Sequence, residues 1–416
     1  MRVFKFGGAS VKDAAGVRNV AHVLREMGHE QTLVVVSAMG KTTNAMEELV
    51  GIYMAHPYGI TGSLEGIRRY HMDVVIELFP DAQHPVYQKV AQLFLEIEDF
   101  FKRNKSPKYN FVYDQIVGYG ELLSSTILSE YLNTQGLDNQ WFDVRGLIKT
   151  DNHYRDAQVD WEQTASAVSA KLTKGPFYIT QGFLGSDENH FTTTLGREGS
   201  DYTAAILAYC LDAESVTIWK DVPGVLNADP RYFENAELLH HISYREAIEL
   251  AFYGASVIHP KTLQPLQGKL IPLHVKSFID PHAPGTTVSE GEGITPMVPC
   301  FIVKKEQVLL KLFSRDFSFI VENSMSELFR LFHQYNIKVE LIQNSAISFS
   351  VCVDNRFKRL EELLEVLEQK YKVTAVFDVS LYTVRHFDEP SILALQKDKE
   401  ILLEQRGKET VQLVVA

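Results

Sequence analysis

Cysteine is scarce in this chain, with three in 416 residues: Cys210, Cys300 and Cys352. They lie far apart and form neither a C-x-x-C pair nor a Cys/His cluster, so neither a disulfide framework nor a structural zinc site is indicated. Three buried thiols in a reducing compartment are expected. Long apolar runs are absent too: no stretch approaches the roughly 20 residues that a bilayer requires. The first residues, MRVFKFGG, begin a strand at once without an apolar signal core. A cytoplasmic protein with no membrane contact is therefore expected. Basic residues are outnumbered, 41 to 53, for a net charge of −12. That balance argues against nucleic acid as a partner, because phosphate backbones are bound through an excess of Lys and Arg. A site for a small anion would have to be locally basic.

Two nucleotide-binding signatures are also missing. No G-x-G-x-x-G follows the first strand, so a Rossmann fingerprint fails. Gly40-Lys41-Thr42 looks like the tail of a P-loop, but that loop needs a glycine where Val35 stands.

What is present is apolar substance, 45% of the residues, enough for roughly two or three cores at this length. Through the first two-thirds, β-rich runs alternate with helical patterns: VFKF at 3–6, a helix from about residue 12, TLVVVS at 32–37, and another helix after Thr43. This alternation predicts an α/β domain with an open sheet flanked by helices. Residues 51–105 read as a helical insertion, with Val74, Val75, Leu78, Val90, Leu93, Phe94 and Ile97 near a 3.6 period. Further on the pattern predicts a helix over 114–133, strands over 177–180 and 215–219, and helices after Ser200 and Ser243. Around 280–297 the sequence turns to Pro, Gly, Ser and Thr without periodicity, a linker or closing loop. Beyond it a βαββαβ order suits a ferredoxin-like α+β module, followed by one helix and two short strands.

Several short clusters can carry chemistry. Lys5-Phe6-Gly7-Gly8-Ala9-Ser10 sits at a strand end, where glycines let backbone N–H groups approach an anion and a lysine can neutralise phosphate. A glycine pair there also serves simply as a tight turn. Gly196-Arg197-Glu198-Gly199-Ser200-Asp201 precedes an apolar helix, so Ser200 or Asp201 could cap it while Arg197 stays available for a carboxylate. Ordinary capping would explain the same residues without a ligand. Asp221-Val222-Pro223-Gly224 and Asp229-Pro230-Arg231 follow an apolar strand, and ligands of open α/β sheets lie beyond the carboxyl ends of strands.

Taken in order, KFGGAS (5–10), VVVSAMGKTTN (34–44), GYGELLSS (118–125), TQGFLGSD (180–187), GREGSD (196–201), WKDVPGVLNADPR (219–231) and GASVIHPKT (254–262) resemble the aspartate kinase branch of the amino-acid kinase family. The C-terminal βαββαβ unit is similar to the ACT modules of such kinases. The resemblance implies a carbamate kinase-like catalytic domain over 1–295, an ACT module over 300–384 and a truncated second ACT-like module over 385–416. It implies ATP-dependent phosphorylation of the aspartate side-chain carboxylate, the first step toward lysine, threonine and methionine. Lys5 would contact the transferring phosphoryl group and Asp201 would organise the centre. Thr43, Glu121, Arg197, Gly199 and Ser200 would hold aspartate, with Glu121 near its ammonium and the Arg197 fork on a carboxylate. ATP would lie along Lys5, Gly7, Gly8, Lys220, Asp221, Arg231, Ser256 and Val257. Mg²⁺ would bridge ATP oxygens without a protein metal cage. An amino-acid effector would meet Met325, Glu340, Asn344 and Ser345, and the module would assemble a homodimer or larger oligomer, since an exposed half-sheet must be covered.

The chain departs from the family pattern at Ala9, Glu198, Lys220 and Ser256, where Thr, Gly, Thr and Lys are usual, and at Ser324, where an aromatic is usual. Ser256 would remove a cation beside ATP, and Lys220 is expected to replace it. Two alternatives stand beside an active aspartate kinase. One is a kinase of glutamate or its acetylated form, disfavoured by the ACT module. The other is a degenerate kinase kept as an amino-acid-binding regulator, disfavoured by the joint presence of Lys5, Arg197 and Asp201.

Overall fold

The computed structural model describes residues 1–56, 59–173, 175–255, 258–356 and 359–416. The chain divides into two compact units: Met1–Val225 with Leu238–Ile248 and Val257–Ile294, and Leu226–Glu237 with Glu249–Ser256 and Thr295–Ala416.

The first unit is built on strands β1 (Arg2–Phe6), β2 (Thr32–Val36), β3 (Gln140–Phe142), β4 (Tyr178–Gln181), β7 (Ser215–Lys220), β8 (His241–Ser243), β9 (Leu273–Ser277), β10 (Thr286–Ser289) and β11 (Ile294–Thr295), while β5 (Leu184–Ser186) and β6 (Thr192–Thr194) form a separate hairpin. The large sheet runs β11-β8-β10-β9-β7-β1-β2-β4-β3. Its centre is parallel: β1 lies between β2 and β7, with Lys5 opposite Val35 and Ile218. Strands covered on both faces read as unbroken apolar runs, and TLVVV of β2 is buried throughout. Because β1 leads to β2 on one side and has β7 on the other, the chain reverses direction across the sheet beyond Phe6. Such a switch point leaves a crevice at the strand carboxyl ends.

Helices α1 (Ala14–Met27), α2 (Thr42–Ala55), α3 (Thr61–Leu78), α4 (Pro85–Arg103), α5 (Tyr109–Val117), α6 (Tyr119–Thr134), α7 (Trp161–Lys171), α8 (Gly199–Leu211), α9 (Tyr244–Tyr253) and α10 (Pro260–Gly268) accompany these strands. The helical insertion expected from periodicity is the pair α3 and α4, which bury Val74, Val75, Leu78, Val90, Phe94 and Ile97. The glycine pair after β1 opens a 3-10 turn, Gly8–Val11, and α1, expected from about residue 12, starts at Ala14, capped by the Asp13 carboxylate on Gly16 N at 2.7 Å. One expectation is corrected. The single helix read over 114–133 is two, α5 and α6, meeting at Gly118, where a Cβ would come 2.7 Å from a Leu184 methyl.

The second unit holds a six-stranded antiparallel sheet of β12 (Cys300–Ser314), β13 (Lys338–Asn344), β14 (Ser348–Asp354), β15 (Tyr371–Arg385), β16 (Ile401–Arg406) and β17 (Thr410–Val415), with helices α11 (Glu322–Gln334), α12 (Leu360–Glu368) and α13 (Glu389–Gln396). The order is β13-β14-β12-β15-β17-β16. β12 and β15 are longer than their apolar patterns predict, and each serves both halves of the sheet. Residues 307–313 pair with β14, whereas 300–304 lie against the part of β15 that also takes β17. One core joins β12, β14, α11 and α12 through Leu310, Leu312, Leu328, Phe349 and Leu363. A second gathers Tyr382, Val384, Ile392, Val411 and Leu413.

Candidate functional site

Beyond the carboxyl ends of β1 and β2 opens a cavity of about 460 Å³, lined in part by Lys5, Gly8, Thr43, Glu121, Arg197 and Asp201. They come from four segments of the chain: the end of β1, the start of α2, the start of α6 and the start of α8. Lys5 is the second-last residue of β1 and only 7% exposed. Gly8 must be glycine, because a Cβ would press to 2.8 Å from Ala38 O and 2.9 Å from Gly40 O. Its carbonyl accepts Gly40 N at 3.0 Å, which locks the loop after β1 to the loop after β2. Gly199, Ser200 and Asp201 form the first turn of α8, all buried.

At one end of the cavity the Lys5 ammonium is 2.6 Å from Asp201 Oδ1, and the Lys220 ammonium, at the end of β7, is 3.6 Å from Oδ2. Burial alone would push the Asp201 carboxyl up, but the two lysines outweigh it and hold the group below the ordinary carboxylate range. Asp201 is therefore an anion that fixes two cations in place. Glu121, in the first turn of α6, faces the opposite situation. Burial pushes it up to about 8, against the Ala38 N–H at 3.2 Å and the nearby Lys5, which favour its charged form. Its Oε2 has no hydrogen-bond partner among the described residues. A buried carboxyl oxygen without a donor is costly unless a ligand supplies one.

Arg197 is exposed at the cavity and has no hydrogen-bond or ion-pair partner among the described residues. Thr43, on the first turn of α2, is half-buried. Gly7 borders the Lys5 ammonium, 3.6 Å from where its Cβ would stand. Asp221 follows β7 and is exposed. Arg231 belongs to the second unit, where its guanidinium is bound by Asp229 at 2.6 Å. Ser256 and Val257 lie outside the described residues. Also in the second unit, Glu340 is ion-paired with Lys338 at 2.8 Å and with Lys304. Met325 packs on the core of that unit. Asn344 and Ser345 are exposed at the hairpin between β13 and β14, where Ser345 N donates to Ser348 O at 2.8 Å.

Sequence reasoning missed Glu47, Tyr113, Arg155 and Phe183, which also line the cavity. Glu47 and Phe183 adjoin or fall within recognisable motifs. Tyr113 and Arg155 fall in none, and Arg155 meets Glu47 across 108 positions of chain.

A sheet parallel at its centre with a lysine at its switch point, an acid at the start of α8 paired with that lysine, and a buried carboxyl with one oxygen open to an ammonium are the features of a small-molecule phosphotransferase site. The chain belongs to the amino acid kinase family, which matches residues 1–277. Its place in that family is with the aspartokinases. Lysine-sensitive aspartokinase 3 of Escherichia coli is 34% identical over 358 residues, covering 85% of this chain and 78% of that one. The crystal structure of E. coli aspartokinase III in complex with lysine and aspartate, in its T-state, is 29% identical with a TM-score of 0.84, covering 100% of this chain and 96% of that one. The same enzyme with aspartate and ADP, in its R-state, gives 0.80 at the same identity and coverage. The α/β kinase fold followed by an ACT-type regulatory unit, expected from the sequence, is borne out.

Proposed function

We propose that this chain phosphorylates the side-chain carboxylate of aspartate with ATP, yielding 4-phospho-aspartate and ADP at the head of lysine, threonine and methionine biosynthesis. The observation that carries the reading is the pairing, in one cavity, of the Lys5–Asp201–Lys220 cluster with the open Oε2 of Glu121. The aspartate α-ammonium meets Glu121, and one carboxylate meets the Arg197 fork, with Thr43, Gly199 and Ser200 completing the hold. The reacting carboxylate is ionised at neutral pH and needs no base. Its oxygen bonds to the γ-phosphorus while the bond to the β–γ bridging oxygen breaks, and ADP leaves with that electron pair. Lys5 and Lys220 neutralise charge on the phosphoryl oxygens, and Asp201 keeps both ammonium groups aimed at them. Gly7 and Gly8 allow the phosphates close to the backbone, and Asp221 borders the nucleotide.

ATP brings Mg²⁺. Mg²⁺ bound with ATP would rely on the nucleotide and its own water, because Asp201, clasped by two lysines, is a poor direct ligand. The ion would offset phosphate charge.

Asn344 and Ser345, open at their hairpin, are the effector-site residues best placed to take an amino acid. The outer edges of β13 and β16, at the two ends of the second sheet, support assembly with another copy. Three free cysteines suit a cytoplasmic setting, and among the described residues no helix is long and apolar enough to cross a membrane.

Trapping the acyl phosphate with hydroxylamine tests the reading. Hydroxamate from aspartate and none from glutamate is expected. Amino-acid binding without turnover of either would instead support the regulatory alternative.

A further inference from the structure

Arg155 enters the cavity although no motif points to it. Its backbone lies at φ +74°, in the left-handed region that residues with a Cβ avoid. The position is firmly built. The fully buried Asp114 carboxylate accepts the Arg155 N–H on both oxygens at 3.1 Å, and it also accepts Thr194 N and Oγ1, each at 2.8 Å. These bonds would hold the backbone equally well with glycine, which is unstrained there. The side chain needs its own reason.

That side chain lies over aromatic rings, its guanidinium carbon 4.1 Å from the centroid of Tyr113 and 5.6 Å from that of Tyr109. One nitrogen is 2.7 Å from Glu47 Oε1. Glu47, Tyr113 and Arg155 line the cavity that holds Lys5, Glu121 and Arg197. The ion pair is half exposed, at 39% and 41%, where such pairs contribute little to stability. It therefore does not explain a strained arginine. Strain kept in place by its surroundings is characteristic of functional sites.

We propose that Arg155 is a specificity-determining residue of the aspartate site: the Glu47–Arg155 pair spans the cavity wall in the empty enzyme, and Arg155 exchanges Glu47 for a carboxylate of the entering amino acid. The inference rests on the kinase reading above. A dicarboxylic substrate has two anionic groups, and Arg197 with Arg155 offers one planar fork to each, while Glu121 takes the ammonium. Tyr113 and Tyr109 hold the guanidinium plane so that it swings between partners without leaving the cavity. No covalent step is involved.

Steady-state kinetics of the full chain with R155G and E47Q tests this. R155G removes the side chain and relieves the backbone, so its melting temperature should equal or exceed that of the wild type. Its KM for aspartate should rise by about tenfold or more, the weight of a charge-assisted hydrogen bond, with kcat and the KM for ATP changed less than about twofold. E47Q frees the guanidinium and should lower the aspartate KM by about threefold, the scale of a half-exposed pair. An aspartate KM in R155G within twofold of wild type overturns the inference while leaving the kinase reading intact. Absence of wild-type turnover overturns both.

Discussion

Glu121 and Asp201 are buried carboxyl groups in one cavity, and their neighbours drive them apart. Asp201 has two ammonium groups beside it and stays charged; Glu121 is pushed up to about 8 by burial, with only backbone amides and a more distant lysine in compensation. Near pH 7 the empty enzyme therefore carries a protonated Glu121, and an arriving ammonium favours the anion. Aspartate binding should release a proton. Calorimetry at pH 7 in buffers of differing ionisation enthalpy should detect it, and E121Q should abolish it. The sign for folding follows from the same shift. With the folded value raised above 4.5, the stability contribution of Glu121 is full below that pH and is lost as pH rises through about 8. In the empty enzyme E121Q should flatten that part of the pH dependence of melting. Lys220 meets the cavity through Asp201. If it replaces the cation that Ser256 lacks, K220A raises the KM for ATP with little effect on aspartate; an unchanged ATP KM would refute the replacement. Lys5, Glu121, Arg197 and Asp201 were all legible as motif residues because each sits beside a glycine or a helix start. Arg155 was not, since only the folded chain brings it to Glu47 and Tyr113.

Among the elements, the start of α8 shows why glycine is usual at position 198, and nothing in the structure explains the glutamate. Glu198 stands where glycine is usual, and its backbone is left-handed, φ 55° and ψ 25°, with no side-chain cap on the helix. The position suits glycine. E198G should stabilise the protein by about 1 kcal/mol, read as a small rise in melting temperature; a fall would mean that the glutamate makes a compensating contact. The strands of the central sheet were legible because double burial demands unbroken apolar runs. β12 and β15 were under-read for a physical reason. Both carry polar residues at a bulge, with Glu306 and Asp378 each at φ 56° and register shifts between Lys304 and Leu309, so the two-residue alternation breaks where the strand does not. The glycine at 118 had no reason legible in the sequence, because the side chain that requires it, Leu184, lies on β5.

For the whole molecule, the second unit offers a place for regulation without naming its ligand. The E. coli relative is described as lysine-sensitive. Here the expected effector residues are divided: Glu340 is already neutralised by Lys304 and Lys338, while Asn344 and Ser345 stand open. An effector in this unit predicts that lysine, threonine or methionine at millimolar concentration depresses hydroxamate formation, and that N344A together with S345A removes the inhibition without changing uninhibited kcat. Insensitivity to all three would leave assembly as the work of the unit.

The order of motifs, the apolar runs of β1 and β2 and the βαββαβ pattern near the C-terminus determined the class of fold and the chemistry, because these depend on residues close together in the chain. Tertiary structure decided what depends on distant groups sharing one space. The charge states of Asp201 and Glu121, the second lysine on Asp201 and the placing of Arg155 all arise where burial strengthens interactions between segments that the sequence keeps apart.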